Sequence, residues 1–213
     1  MIKKYELIIF DLDGTLLDTS KGIFNSVRYT EKQLHLNHIE DYLLKEFVGP
    51  PPKLMYMKYY GLSENEALIA VEKHREYGRT KGIYEAKQYA GITETLINLK
   101  KNGYKLAVAT LKSQDIAEKI LKNFNLKEYF NCIFGMDCKE TLTKSMIIRN
   151  AIKECKCVDT LTVMVGDTQS DFLGASETGI DFVGVKYGFG FRNNSEFYKF
   201  PIIDYPIDLL KLL

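Results

Sequence analysis

The sequence predicts an α/β fold in which a parallel sheet core is interrupted by an inserted all-helical cap. Three observations predict it. Apolar runs of strand length recur at 7–10, 105–110, 132–134, 161–167 and 181–185, with segments of helical period between them. Continuous apolar strands alternating with helices belong to a parallel sheet covered on both faces. The alternation fails between Thr19 and about Gly82, where no strand pattern occurs. The first apolar run also stops abruptly at two acids and a glycine, Asp11-Leu12-Asp13-Gly14-Thr15.

Taken in order, LIIF at 7–10 has the length and continuity of a buried central strand. The interval after it reads as four helices, at 20–36, 39–46, 51–59 and 64–77. Gly49-Pro50-Pro51-Pro52 and Gly61 punctuate them, and proline is suited to a helix's first position. Beyond it, helical period at 92–101, 113–124, 145–154 and 170–178 alternates with the later strands. The tail at 197–213 reads as an edge strand followed by a short helix. The division expected is a core of residues 1–17 and 82–213 and a cap of residues 18–81. An insertion placed there sits over the sheet edge where open α/β folds bind ligands.

Composition narrows the function. The 213 residues suffice for a core with a small partner domain, and 29 basic against 28 acidic side chains give no general attraction to nucleic acid or a charged membrane. The 14 tyrosines and 12 phenylalanines are interspersed with acids and form no stacking stripe. Met1-Ile2-Lys3-Lys4 begins like an export signal, but the apolar run behind it ends at Asp11. Four cysteines are too few for a disulfide scaffold, so a cytoplasmic location is expected. Cys155 and Cys157 stand too close for an ordinary zinc pair, and His35, His38 and His74 show no ligand pattern.

Residues two apart in an extended segment point the same way, so Asp11 and Asp13 can approach one site while Gly14 turns the chain and Thr15 ties the turn. Close carboxylates raise one another's pKa unless a cation compensates, and magnesium prefers oxygen ligands. A second acidic group follows the strand at 161–167: Asp167 at its end, and Asp171 on the first turn of the next helix, which also suits an N-terminal cap. Acids at two strand ends would be costly to bring together without a metal. The run at 105–110 ends in Thr110, where a hydroxyl and the N–H groups of a following helix make a phosphate-oxygen site. Lys144, before the helix at 145–154, could bring a positive charge to the same edge.

Asp11-x-Asp13-Gly14-Thr15, Thr110, Lys144 and Gly166-Asp167-x-x-x-Asp171 resemble the four motifs of the haloacid dehalogenase-like hydrolases. The likeness is strongest to the phosphoglycolate phosphatase-like and β-phosphoglucomutase-like branch, which has a Rossmann-like core and a helical cap after the first motif. The resemblance implies that Asp11 attacks phosphorus and that Asp13 protonates the leaving oxygen and then activates water. It implies that Thr110, Leu111 and Lys144 hold the phosphoryl oxygens, and that magnesium is held by Asp11, the backbone carbonyl of Asp13, Asp167 and Asp171. The family's dehalogenases lack the acid found here at Asp13, so phosphoryl chemistry is implied. Leu111 stands where this branch often has asparagine, and Ser145 where it usually has proline.

Substrate choice is expected to lie in the cap. The stretch 47–51 resembles a family loop that approaches the active site, with Lys53 as the nearest charge for a substrate carboxylate or second phosphate. Arg28, Arg75 and Arg79 are further cap cations. The loop Tyr187-Gly188-Phe189-Gly190 resembles one beside the active site. The expected function is a magnesium-dependent phosphatase of a small phosphorylated metabolite. The alternatives are a phosphosugar mutase and a protein that keeps the fold for binding.

Overall fold

The computed structural model describes residues 5–191 and 198–213; Met1 to Lys4 and Phe197, the first residue of the tail, lie outside them. The main sheet has six strands: β1 (Leu7–Phe10), β4 (Lys105–Ser113), β5 (Cys132–Met136), β6 (Thr162–Gly166), β7 (Asp181–Val185) and β8 (Ile202–Ile203). Their order is β5-β4-β1-β6-β7-β8 and every pairing is parallel. The chain winds outward from β1 through β4 and β5, then returns to β6 and winds the other way. The reversal puts a crevice at the carboxyl ends of β1 and β6, the usual ligand position in such sheets.

Alternation sends the two faces of each strand into separate apolar layers. Ile8, Phe10, Leu106, Val108, Val163 and Val165 pack under α4 (Ile92–Lys101) and α5 (Gln114–Asn123). Leu7, Ile9, Ala107, Ala109 and Met164 pack under α6 (Lys144–Cys155) and α7 (Gln169–Thr178). Each fully buried aliphatic side chain contributes about 1.5–3 kcal/mol relative to exposure, which is why the strands read as unbroken apolar runs.

The interval after β1 is helical: α1 (Ser20–Leu34), a 3-10 segment (Asp41–Phe47), α2 (Pro52–Tyr60) and α3 (Glu64–Thr80). Pro52 opens α2 and left-handed Gly61 closes it, while Ser63 and Glu66 cap α3 reciprocally. Val27, Phe47, Tyr56, Ala70 and Val71 form a third apolar cluster within this unit.

Two sequence expectations need correction, and one element was not foreseen. The helix expected at 39–46 is a 3-10 segment from Asp41 to Phe47. A two-stranded antiparallel ribbon, β2 (Leu17–Asp18) with β3 (Lys87–Gln88), joins the segments flanking the insertion. The strand expected to end at Thr110 continues to Ser113 through a shift of register after Ala109. The tail does carry an edge strand, β8, and a short helix, α8 (Leu209–Leu212). Among the described residues no helix is long and apolar enough to cross a membrane.

Candidate active site

Asp11 stands one residue beyond β1, its N–H donating to the Val165 carbonyl at 2.9 Å. The chain then folds back: the N–H groups of Leu16 and Leu17 reach the Leu12 carbonyl, and Gly14 donates to the Leu17 carbonyl at 2.8 Å. Gly14 has φ +85, and a Cβ there would lie 2.2 Å from Asp167 Oδ2, so the turn admits only glycine. Thr15, expected to tie this turn with its hydroxyl, instead donates it to Asp167 Oδ1 at 3.3 Å. The turn also gives the two acids different partners. Asp11 Oδ1 accepts from Lys144 Nζ at 2.6 Å, whereas Asp13 Oδ1 pairs with Lys112 Nζ at 3.0 Å and accepts from the Thr19 hydroxyl. The Asp13 charge still acts on Asp11, so the two acids stay near one another while holding different partners.

Asp167 follows β6 directly and is fully buried. Its Oδ2 accepts the Phe189 N–H at 2.7 Å, and a Cβ on Gly188 would fall 2.3 Å from its own Cβ. The loop 187–190 is therefore packed onto this carboxylate. Asp171 fills both positions the sequence left open. Its Oδ2 accepts from the N–H and hydroxyl of Thr168, capping α7, while its Oδ1 pairs with Lys144 Nζ at 2.6 Å.

Oxygen atoms of Asp11, Asp167 and Asp171 lie within 4.8 Å of one another, all buried. Burial pushes Asp11 up to about 7 despite the Lys144 ammonium, and the Asp171 and Asp13 charges add to the push. Burial raises Asp167 well above the carboxylate range, with Asp171 and Asp11 next in effect. Burial opposes the charge on Lys144, but Asp11 and Asp171 outweigh it and hold its pKa above that of a free lysine. One ammonium thus pairs with two of the three carboxylates, and the remainder is a negative, oxygen-only donor set. Gly14 and Gly188 pack against Asp167 where a Cβ would collide with it. These features suit a divalent cation.

Thr110 is buried near the end of β4, and its hydroxyl accepts the Lys112 N–H at 3.1 Å. The following helix, expected at 113–124, is α5 (Gln114–Asn123), and the irregular end of β4 lies between it and Thr110. Leu111 packs at the margin of the α6–α7 layer.

The cap cations are held by internal partners rather than directed to these carboxylates. Arg28 binds Glu31, Asp41 and the Ile39 carbonyl. Lys53 pairs its ammonium with Glu64. Arg79 pairs with Asp115 and Glu72, and Arg75 with Glu140 and Glu72. The cap loop does approach the site: a Cβ on Gly49 would stand 3.5 Å from Thr168 Cγ2. A cavity of about 420 Å³ lies there, lined by Lys45, Gly49, Pro50, Thr168 and Phe189 among others.

Sequence reasoning passed over Lys112 and Thr19, the two partners of Asp13. Lys112 carried a usable signal, a basic residue two after a threonine that nearly ends a strand. Thr19 carried none, since its role depends on the chain turning back after Gly14.

Known proteins resemble this chain in sequence and fold. The 5'-nucleotidase of Pseudomonas aeruginosa is 37% identical over 188 residues, covering 88% of this chain and 85% of that protein. The tyrosine-protein kinase PtkA of Mycobacterium tuberculosis is 34% identical over 192 residues, covering 87% of this chain and 63% of the kinase. A predicted phosphatase from Clostridium acetobutylicum superposes with a TM-score of 0.87 at 35% identity, covering 97% of this chain and 96% of that one. The family described as haloacid dehalogenase-like hydrolase matches residues 8–185, a span running from β1 through β7. With its parallel sheet, its helical insertion and its acids at the ends of β1 and β6, the chain belongs to the haloacid dehalogenase-like hydrolases, as a phosphatase-type enzyme.

Proposed function

We propose that the chain is a magnesium-dependent phosphatase acting on a small phosphorylated metabolite through an aspartyl-phosphate on Asp11. The observation that carries this reading is the division of labour between two acids of one turn: Asp11 lies with Lys144, Asp167 and Asp171, and Asp13 lies with Lys112 and Thr19. Carboxylates in different surroundings can take different roles, one as nucleophile and one as proton carrier.

In the first half-reaction an Asp11 oxygen attacks phosphorus, the bond to the leaving oxygen breaks, and Asp13 gives that oxygen its proton. In the second, Asp13 takes a proton from water as the water attacks phosphorus, and Asp11 departs as a carboxylate. Lys144 and Thr110, with the backbone at Leu111, hold the phosphoryl oxygens where negative charge must be balanced. Lys112 and Thr19 orient Asp13. Magnesium, held by Asp11, the Asp13 carbonyl, Asp167 and Asp171, would supply the positive charge that keeps Asp11 ionised and neutralises the phosphoryl group.

Residues 18–81 are the unit we take to open for entry and close over the site, turning on the flanking ribbon and the segment near Lys81 to Ile83. The cavity beside Gly49 and Thr168 offers room for a small leaving group. The test is phosphate release across phosphoglycolate, sugar phosphates, nucleoside monophosphates and pyrophosphate, with magnesium and with chelator. The 5'-nucleotidase relative is a reason to include the nucleotides. Magnesium-dependent release from one class, abolished by Asp11→Asn, is expected. Full release by that variant would sink the mechanism.

A further inference from the structure

The segment joining β5 to α6 ends in Lys144, and its own order depends on one side chain. The Asp137 carboxylate accepts N–H bonds from Lys139 at 3.2 Å, Thr141 at 2.7 Å and Leu142 at 3.2 Å, and the Thr141 hydroxyl at 3.1 Å. Within this tight loop Glu140 takes φ 54, a region that residues bearing a Cβ seldom adopt. Its side chain is 1% exposed. Glu140 Oε1 accepts from Arg75 of α3 at 3.1 Å, and Oε2 accepts the N–H of Lys53, in the first turn of α2, at 3.2 Å.

Arg75 completes the junction. Its side chain is 4% exposed, and it also donates to the carbonyls of Cys138 at 2.7 Å and Asp137 at 3.3 Å. Two cap helices thus grip a single core loop through a guanidinium and a helix-end N–H. Immediately after this loop, the Thr143 hydroxyl accepts the Met146 N–H to start α6, and Lys144 reaches Asp11 and Asp171. A buried arginine and a strained glutamate are an expensive way to hold a surface loop, because each charge is lost from water. Their placement makes sense if the position of the loop sets the position of Lys144.

We propose that Arg75 and Glu140 are positioning residues for the reaction: by seating α2 and α3 on the 137–143 loop they align Lys144 with Asp11 when the cap is closed. The inference rests on the reading of Asp11 as nucleophile and Lys144 as the group that holds the phosphoryl oxygens. It makes cap seating and assembly of the charged centre one event. The guanidinium fork matters because it reaches two carbonyls and a carboxylate at once, which a lysine cannot do.

The experiment compares the wild type, Glu140→Gln, Arg75→Lys and the double variant Arg75→Met with Glu140→Leu, using the fastest substrate from the metabolite panel. Steady-state kinetics are paired with hydrogen exchange over residues 132–150 and thermal melts. Each single variant should lower kcat by about ten- to a hundredfold, the scale set by misplacing a reacting group, and should speed exchange in the 137–144 stretch. The double variant removes both buried charges together, so its melting temperature should return towards that of the wild type while kcat stays low.

Recovery of kcat together with stability in the double variant would mean that packing alone matters, and would overturn the proposal. Unchanged exchange at 137–144 in Glu140→Gln would overturn it equally. Failure of the underlying phosphatase reading looks different: the wild type releases no phosphate, or Asp11→Asn releases it undiminished. In that case the exchange measurement still decides whether the two residues order the loop.

Discussion

Replacing Lys144 by methionine tests the charge balance at the centre of the site. The side chain is 4% exposed and its Nζ lies 2.6 Å from both Asp11 and Asp171, so methionine keeps the apolar stem and deletes only the charge. Asp11 and Asp171 would then lose their shared cation beside a third buried carboxylate, Asp167. Breaking one partner out of a buried ion pair costs about 3–5 kcal/mol, and that loss is expected in urea melts at pH 7.5 in chelator. The loss should shrink as pH falls. Asp11 is already pushed up to about 7 with the lysine present, so removal moves it higher, and the folded state sheds the repulsion by taking up protons. A divalent cation supplies charge to the same three acids, so magnesium should raise the melting temperature of the variant more than that of the wild type. Turnover should fall by on the order of 10²–10³ in kcat. A variant as stable as the wild type in chelator, and no more responsive to magnesium, would refute the idea that these charges depend on one another.

Three other perturbations have definite outcomes. Burial, reinforced by the Lys112 and Arg75 charges, pushes the pKa of His74 down to about 3, so the imidazole is neutral in the fold and accepts or donates with the Tyr56 hydroxyl at 3.1 Å. Between about pH 6.5 and 3 the unfolded chain binds the proton that the folded chain refuses, so this group removes up to about 1.4 kcal/mol of stability per pH unit of acidification. His74→Gln should flatten that part of the slope in melts at pH 7, 6 and 5, and an unaltered slope would exclude the cause. Gly188→Ala should weaken magnesium binding by calorimetry and cost about 1–3 kcal/mol of stability, because its Cβ would meet Asp167 Cβ at 2.3 Å and the Gly14 carbonyl at 2.5 Å. Arg28→Gln should lower the melting temperature while leaving KM unchanged, since its partners are Glu31, Asp41 and the Ile39 carbonyl; a raised KM with normal melting would return it to the substrate site.

The parts of the fold legible in the sequence are those where one local rule decides. Strands buried on both faces must be apolar throughout, so β1, β6 and β7 announce themselves, and an acid ending such a strand is conspicuous. The ribbon of β2 and β3 is two residues on each side, too short for any period, and exists because the insertion begins and ends there. Thr110 stood out as a strand end because polar Lys112 and Ser113 follow it, yet the strand continues through them with a shifted register. The segment at 41–47 has helical spacing over a length at which 3-10 and α geometry are hard to tell apart.

Charge partnership is the level at which local rules stop. Arg75 sits three residues after Glu72, and Arg28 three before Glu31, spacings that mark an ordinary solvated helix face. The contacts that set the position of Arg75 come instead from residues 137–140, on the core side of the molecule. The same holds at the centre. Counting acids along the chain finds Asp11, Asp13, Asp167 and Asp171 at one sheet edge and argues for compensation. Folding brings Lys144 to two of them and Lys112 to a third, so two ammonium groups already face four carboxylates. With all four ionised, the charge left over equals that of one divalent cation. An arriving phosphoryl group adds negative charge to a centre with none to spare, so lysine and metal are both needed at once, and weakening either should make the protein lean harder on the other.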